Sequence, residues 1–371
     1  MINYNRPCTY LLLLTVATGA CQSASQDNQP PISDTTAVAQ VLEPHFVTDP
    51  TRHDTDDPAV WINFKDPSQS LIIGTDKDQD GALYVYNLEG KIQEEKVVRN
   101  LQRPNNVDVE YGLMLDNTST DIAVTTERFT HKLRIFALPN MQPVDGGGIP
   151  VFKGESGEEY RDLMGIALYK RSSDGEVFAI VGRKNGPTDG TYLWQYRLYD
   201  NGSGQVAAEL VRKFGQFSGQ KEIEAIAVDD SLGYVYYSDE TVGVRQYYAD
   251  PNAGNEELAL FANEGFAADR EGISIYYQSD SSGYILVSDQ DAGQFHVYAR
   301  HGREGDPTDH PLLAVLPLST QSSDGSETVS HSLPPHFPSG LFVAMSEDKT
   351  FQLYQWKNLH EMIEQQLPSS P

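Results

Sequence analysis

Apolar and polar positions along this chain alternate in short bursts with the period of two that marks a half-buried β-strand. Turn-forming pairs such as Asp80-Gly81, Asp174-Gly175 and Ser282-Gly283 separate the bursts. A larger pattern recurs roughly every 50 residues, which is the signature of a repeat architecture. Each unit opens with an acidic residue and an apolar strand. A polar turn follows, then a second apolar strand that ends in a small residue and an acid, then an aromatic-rich third strand.

First strands are predicted at 59–63, 107–111, 165–169, 225–228 and 272–276, with a degraded sixth near 329–333. Second strands fall at 71–75, 121–125, 177–182, 234–238, 284–288 and 341–346. Third strands fall at 82–88, 132–138, 192–198, 242–248, 294–300 and 350–356. Fourth strands are read at 95–101, 147–152, 209–214, 258–261 and 312–316, while the sixth unit ends in a helix-like tail at 358–366. The missing outer strand is assigned to 43–47, so strands from both ends of the chain close the ring. The predicted fold is all-β, a six-bladed β-propeller closed by an N-terminal strand.

Residues 1–20 read as a signal peptide, with Arg6 before a short apolar run at 10–16. Thr18-Gly19-Ala20-Cys21 resembles a bacterial lipobox, in which Cys21 becomes a lipidated N-terminus. Residues 21–42 form a polar tether, 43–360 the propeller and 361–371 a tail. The expected location is exported: an outer-membrane or periplasmic lipoprotein, at the cell surface, or secreted. Cys8 lies inside the signal, so the mature chain has neither a disulfide nor a cysteine nucleophile.

Charge sharpens the picture. Asp and Glu number 53 against 27 Lys and Arg, a net charge of -26, which excludes general nucleic-acid binding. With 39% hydrophobic residues the chain also has enough apolar surface to fold, so the acidity calls for another account. In an antiparallel meander the start of strand one adjoins the end of strand two, at one end of the channel. Strand-one starts carry Asp56, Asp57, Asn106, Asp108, Asp162, Glu222, Glu224, Asp269 and Glu271. Strand-two ends carry Asp76, Glu127, Asp239, Glu240, Asp289, Asp291, Glu347 and Asp348. So many carboxylates at one rim call for cations. An oxygen-only set selects hard ions, and Ca²⁺ accepts such ligands flexibly.

Bases follow the same strand ends: Lys77, Arg128, and Arg183 with Lys184. Acids for metal and cations for an anion are the combination that phosphoryl hydrolysis uses. Two other readings use the same face: a non-catalytic calcium-binding lipoprotein propeller that serves as a scaffold, and another propeller hydrolase such as a calcium lactonase.

These residues resemble the bacterial β-propeller phytases, or alkaline phytases, over about residues 45–357. The resemblance rests on Asp56-Asp57-Pro58-Ala59-Val60-Trp61, Asn105-Asn106-Val107-Asp108, Glu224 with Asp229-Asp230, Asp269-Arg270-Glu271-Gly272-Ile273 and Gly340-Leu341-Phe342-Val343-Ala344. It implies a 3-phytase-type enzyme that removes phosphate from myo-inositol hexakisphosphate, bound as a calcium complex. It implies several calcium ions and direct attack by a calcium-bound water. Transferred residue by residue, the phosphate-binding bases are Lys77, Arg128 and Lys184, acting with Glu224 and Asp269. Calcium ligands fall on Asp56, Asp57, Asn106, Asp108, Glu224, Asp239, Glu240, Asp269, Glu271, Gln290, Asp291 and Asp324. A monomer is expected.

The chain departs from the family pattern at three places. Met164 stands where the family has a phosphate-facing Tyr, Val329 follows Thr328 in the blade-six loop, and Arg183-Lys184-Asn185-Gly186 replaces a single Lys before a Gly-Glu pair. Arg300-His301-Gly302-Arg303 looks like the histidine acid phosphatase motif, but Glu304 and Asp306 stand where that motif needs Arg and Pro. Asp76-Lys77-Asp78-Gln79-Asp80-Gly81 resembles the start of an EF-hand loop, yet strands flank it and position twelve is Asn87.

Overall fold

The computed structural model describes residues 40–267, 269–303 and 305–368. The expected signal peptide, Cys21 and nearly all of the tether lie outside the described residues. Six antiparallel sheets make up the described chain, five of four strands and one of five, with a single α-helix at Trp356–Gln366 among the described residues. Their first strands are Thr55–Trp61, Pro104–Leu115, Leu163–Lys170, Ile226–Asp229, Ile273–Tyr277 and Ser326–Val329, for blades one to six. Each packs against the next, and the sixth returns to the first, so the inner strands form a ring. This is a six-bladed propeller.

The outermost strand of blade six is Phe46–Val47, which pairs antiparallel with Thr350–Gln355; Phe46 lies opposite Leu353 and Val47 opposite Gln352. The sixth inner strand differs from the expectation at 329–333: it runs Ser326–Val329, and Leu333 pairs instead with Phe337 in the loop that follows. That loop carries Pro334 and Pro335, which donate no ladder hydrogen bond, so the strand ends before it. The apolar reading followed Val329 and Leu333, one at the end of the strand and the other in the loop.

Core side chains fill the spaces between neighbouring blades. Ile122, Val124 and Leu133 of blade two interdigitate with Ile166, Ala179 and Trp194 of blade three, all buried. Alternation of inward and outward residues is what lets each sheet feed two such interfaces. The helix closes one interface, with Trp356, Leu359 and Ile363 buried and the Trp356 ring stacked on Tyr276 at 3.6 Å. Polar stitches join blades as well. The Asp57 carboxylate accepts from the Val107 N–H at 3.0 Å, and the Asp108 carboxylate from the Leu168 N–H at 2.7 Å. Arg300 is fully buried and fastened to Asp229 by two contacts of 2.6 and 2.8 Å. That ion pair gives the Arg300-His301-Gly302-Arg303 segment a structural role between blades four and five.

Candidate active site at the channel rim

Strand register explains why the bases gather. Thr55 lies opposite Asp76, Pro104 opposite Glu127 and Leu163 opposite Arg183. Lys77, Arg128 and Lys184 therefore leave their strands beside the starts of inner strands one, two and three. Each of these inner strands carries a register shift just inside the rim, between Thr55 and Pro58, between Pro104 and Val107, and between Leu163 and Ile166. A bulge of this kind re-aims the side chains it contains. The residues re-aimed are Asp56 and Asp57, Asn105 and Asn106, and Met164 and Gly165.

A continuous run of contacts follows. Lys77 Nζ contacts the Asp56 carboxylate and lies 3.2 Å from Asp324 Oδ2. Asp324 Oδ1 accepts from Gln290 at 2.7 Å. Asn105 is fully buried; its amide donates to Asp56 Oδ2 at 2.9 Å and to Glu224, while its carbonyl oxygen accepts from Arg128. Arg128 also donates to the Leu163 carbonyl at 3.2 Å and touches the Met164 sulfur. Lys184 Nζ lies 3.2 Å from Glu222 Oε2.

Beyond Glu224 the rim turns acidic. Glu222, Glu224 and Glu240 form one group, and Glu240, Asp269 and Glu271 a second, with the ligand oxygens of each group within 4.8 Å of one another. Burial, reinforced by Glu222 and Glu224, pushes the Glu240 carboxyl up to about 9. Burial also lifts Glu271 and Asp56 well above the usual carboxylate range, with Glu224 adding to both. Burial alone would lower Lys77, but Asp56, Glu224 and Asp324 outweigh it and hold the ammonium charged. Glu240 Oε1 is buried without a hydrogen-bond partner among the described residues. Crowded carboxylates, an orphaned oxygen and an all-oxygen donor set fit a hard divalent cation.

Two glycines let the backbone come this close. A Cβ on Gly165 would lie 1.9 Å from the Glu224 carbonyl oxygen, and one on Gly325 would lie 2.4 Å from Asp57 Oδ1.

Not every expected ligand joins the rim. Asp239 is buried, but its carboxylate is held by the Ser218 N–H at 2.9 Å, the Ser218 hydroxyl at 2.6 Å and Arg245 Nη2 at 2.9 Å. Asp57 and Asp108 line a channel cavity of about 260 Å³ with Glu110, Asp230 and Glu327. Asn106 stays with Asp57 and Asn105, and Asp291 is exposed in the turn Gln290–Ala292. Asp76 anchors backbone, accepting from the N–H groups of His53 and Asp54 at 2.9 and 2.8 Å. Asn105 and Glu222 enter the site beyond the expected set. Glu222 stood among the strand-one acids, whereas no charge marked Asn105.

A rim that joins three bases to a paired carboxylate cluster is the arrangement the family comparison speaks to. A phytase family profile matches residues 8–362. The chain belongs to the phytase family. It is a phosphoric monoester hydrolase of that family. It is similar to a 3-phytase of Bacillus subtilis (strain 168), with 27% identity over 340 residues that cover 86% of this chain and 84% of the relative.

Proposed function

We propose that the chain hydrolyses myo-inositol hexakisphosphate at the rim between Lys77 and Asp269, with calcium at the two carboxylate groups. The observation that carries this reading is the unbroken run of contacts from Lys77 through Asp56, Asn105 and Glu224, the last of which shares one carboxylate group with Glu240. Bases and metal-fitting acids are thereby close enough to act on one phosphate.

Glu222, Glu224, Glu240, Asp269 and Glu271 would hold the cations. A bound divalent ion supplies charge neutralisation on the phosphate and lowers the pKa of water. The protein's own part is positional. Lys77, Arg128 and Lys184 approach from three successive blades and offer donors to the phosphate oxygens, Arg128 through Nη1, since its Nε and Nη2 are engaged. Asn105 holds Arg128 apart from Asp56 and Glu224, so the guanidinium is not spent in a direct ion pair. Water is the attacking group in this reading, with no covalent enzyme intermediate. Arg6, the apolar run after it and the Cys21 motif support export with a lipid anchor, and we take the working unit as a monomer.

Phosphate release from phytate, measured with and without a calcium chelator, tests the reading. Release is expected with calcium and loss of release with chelator. No release at any calcium level would overturn it.

A further inference from the structure

The second carboxylate group already contains a positive charge supplied by the chain. Lys221 Nζ contacts Asp269 and lies 3.7 Å from Glu240 Oε2. Both acids belong to the Glu240, Asp269 and Glu271 group. The lysine side chain is 47% exposed, while Glu240 beside it is 1% exposed. A half-exposed lysine thus reaches into a largely buried cluster of carboxyl groups from its open side.

The loop that carries Lys221 is held in place for this. Ser218 is fastened to Asp239 by its N–H and its hydroxyl, at 2.9 and 2.6 Å. Asp239 is itself gripped by Arg245 and immediately precedes Glu240. The Thr241 hydroxyl donates to the Gln220 side chain at 3.2 Å. Residues on either side of Glu240 therefore clamp the loop just before Lys221. Asp239, a calcium ligand by the family resemblance, thus holds this loop in place.

We propose that Lys221 is a tethered counter-cation of the outer carboxylate group, which neutralises that group in the metal-free protein and competes with a divalent cation for it. The inference rests on the reading above that this group takes calcium. A lysine suits the task because its ammonium is a compact charge on a flexible four-carbon stem. It can leave into solvent without unfolding anything, since the loop is anchored by Ser218 and Gln220 and not by Lys221. Cation binding must then displace the ammonium, so the affinity of this group is set partly by a residue that is not a ligand.

The test is a calcium titration by calorimetry on the full mature chain after metal stripping, for the wild type, Lys221→Gln and Lys221→Arg. One class of calcium ions is expected to bind on the order of ten-fold tighter in Lys221→Gln, because a competing charge a few Å away has been removed. Lys221→Arg keeps the charge and is expected to bind within about two-fold of the wild type on the same electrostatic ground. The melting temperature of metal-free Lys221→Gln is expected to fall below the wild type, and to gain more from added calcium. Equal calcium affinity in wild type and Lys221→Gln would overturn the proposal and leave the calcium reading standing. An absence of binding in all the proteins would overturn both.

Discussion

Arg183 and Lys184 are adjacent in sequence and occupy opposite environments. Arg183 is fully buried, 2.8 Å from Glu155, bonded to the Tyr192 carbonyl at 3.0 Å and packed 4.5 Å from the Phe152 ring centroid. Lys184 leaves the strand on the rim side, one third exposed, 3.2 Å from Glu222. Successive side chains of a strand point to opposite faces, and here one face is the interior of blade three and the other the channel rim. The doubled base in this blade is thus one residue locked in the interior and one that faces the rim.

Alanine at these two positions should separate stability from chemistry. Arg183→Ala leaves Glu155 without its partner and opens a space among aromatic rings, so a loss of about 3–5 kcal/mol is expected. Lys184→Ala should melt within about 0.5 kcal/mol of the wild type, as surface changes do, while turnover on phytate falls at least ten-fold. Denaturant melts and steady-state rates on both variants check this. A Lys184→Ala enzyme with full turnover would remove that residue from the site.

Asn105 is expected to matter more than its neutral side chain suggests. It separates Arg128 from Asp56 and Glu224, and all of its donors and acceptors are engaged within the site. Asn105→Leu keeps the volume and removes the bridge, which frees Arg128 to collapse onto an acid. We expect kcat to fall by about 10²-fold, as misplacement of a positioned group by an ångström does. A kinetic comparison with Asn105→Asp, which keeps the acceptor but adds a charge, distinguishes lost position from lost polarity. Equal rates in wild type and Asn105→Leu would show that the Leu163 carbonyl and Met164 hold Arg128 without it.

Gly165 offers a steric probe of the same site. A methyl group there would overlap the Glu224 carbonyl oxygen and crowd the Ile226 side chain. Gly165→Ala should push inner strands three and four apart and displace Glu224. A cost of about 1–3 kcal/mol is expected for such overpacking, together with weaker calcium binding. Melting and calcium titration of the variant check both, and wild-type values for each would mean that the strands take in the methyl group without parting or moving Glu224.

Much of this was legible in the sequence, for a physical reason. Strand ends in a meander are locally determined, so acids and bases at equivalent repeat positions had to meet at one rim, and Lys77, Arg128, Glu224 and Asp269 do. What escaped was decided by partners far apart in the chain. Asp239 looks like Glu240 in sequence, but Arg245 and Ser218 claim its carboxylate. Asp57 and Asp108 sit at strand starts, yet bonds to Val107 and Leu168 turn them into the channel. Asn105 was unmarked because its role is to bond three charged groups, which no spacing rule shows. The sixth inner strand was misplaced because Ser326–Val329 is too short and polar to announce itself.

The channel acids make stability depend on pH in the chelated protein. Burial, with Asp230 adding to it, lifts Glu110 from 4.5 to about 8, and burial lifts Asp230 to about 7 and Asp108 to about 6. Glu327 and Asp57 share the cavity, and the Lys170 ammonium reaches the Tyr111 carbonyl nearby. A carboxyl with a raised pKa keeps its proton in the fold after the unfolded chain has lost it. Its stabilising contribution is therefore complete below the unfolded value and is lost as pH rises through the folded one. For Glu110 that window runs from 4.5 to about 8. The melting temperature in chelator should accordingly fall steadily from pH 5 to pH 8, on the order of the slope given by one to three protons. Glu110→Gln carries no titrating proton and should flatten the upper part of that fall. A melting temperature that rises over the same range would mean these carboxyls are ionised in the folded channel, with counter-charges other than Lys170 beside them.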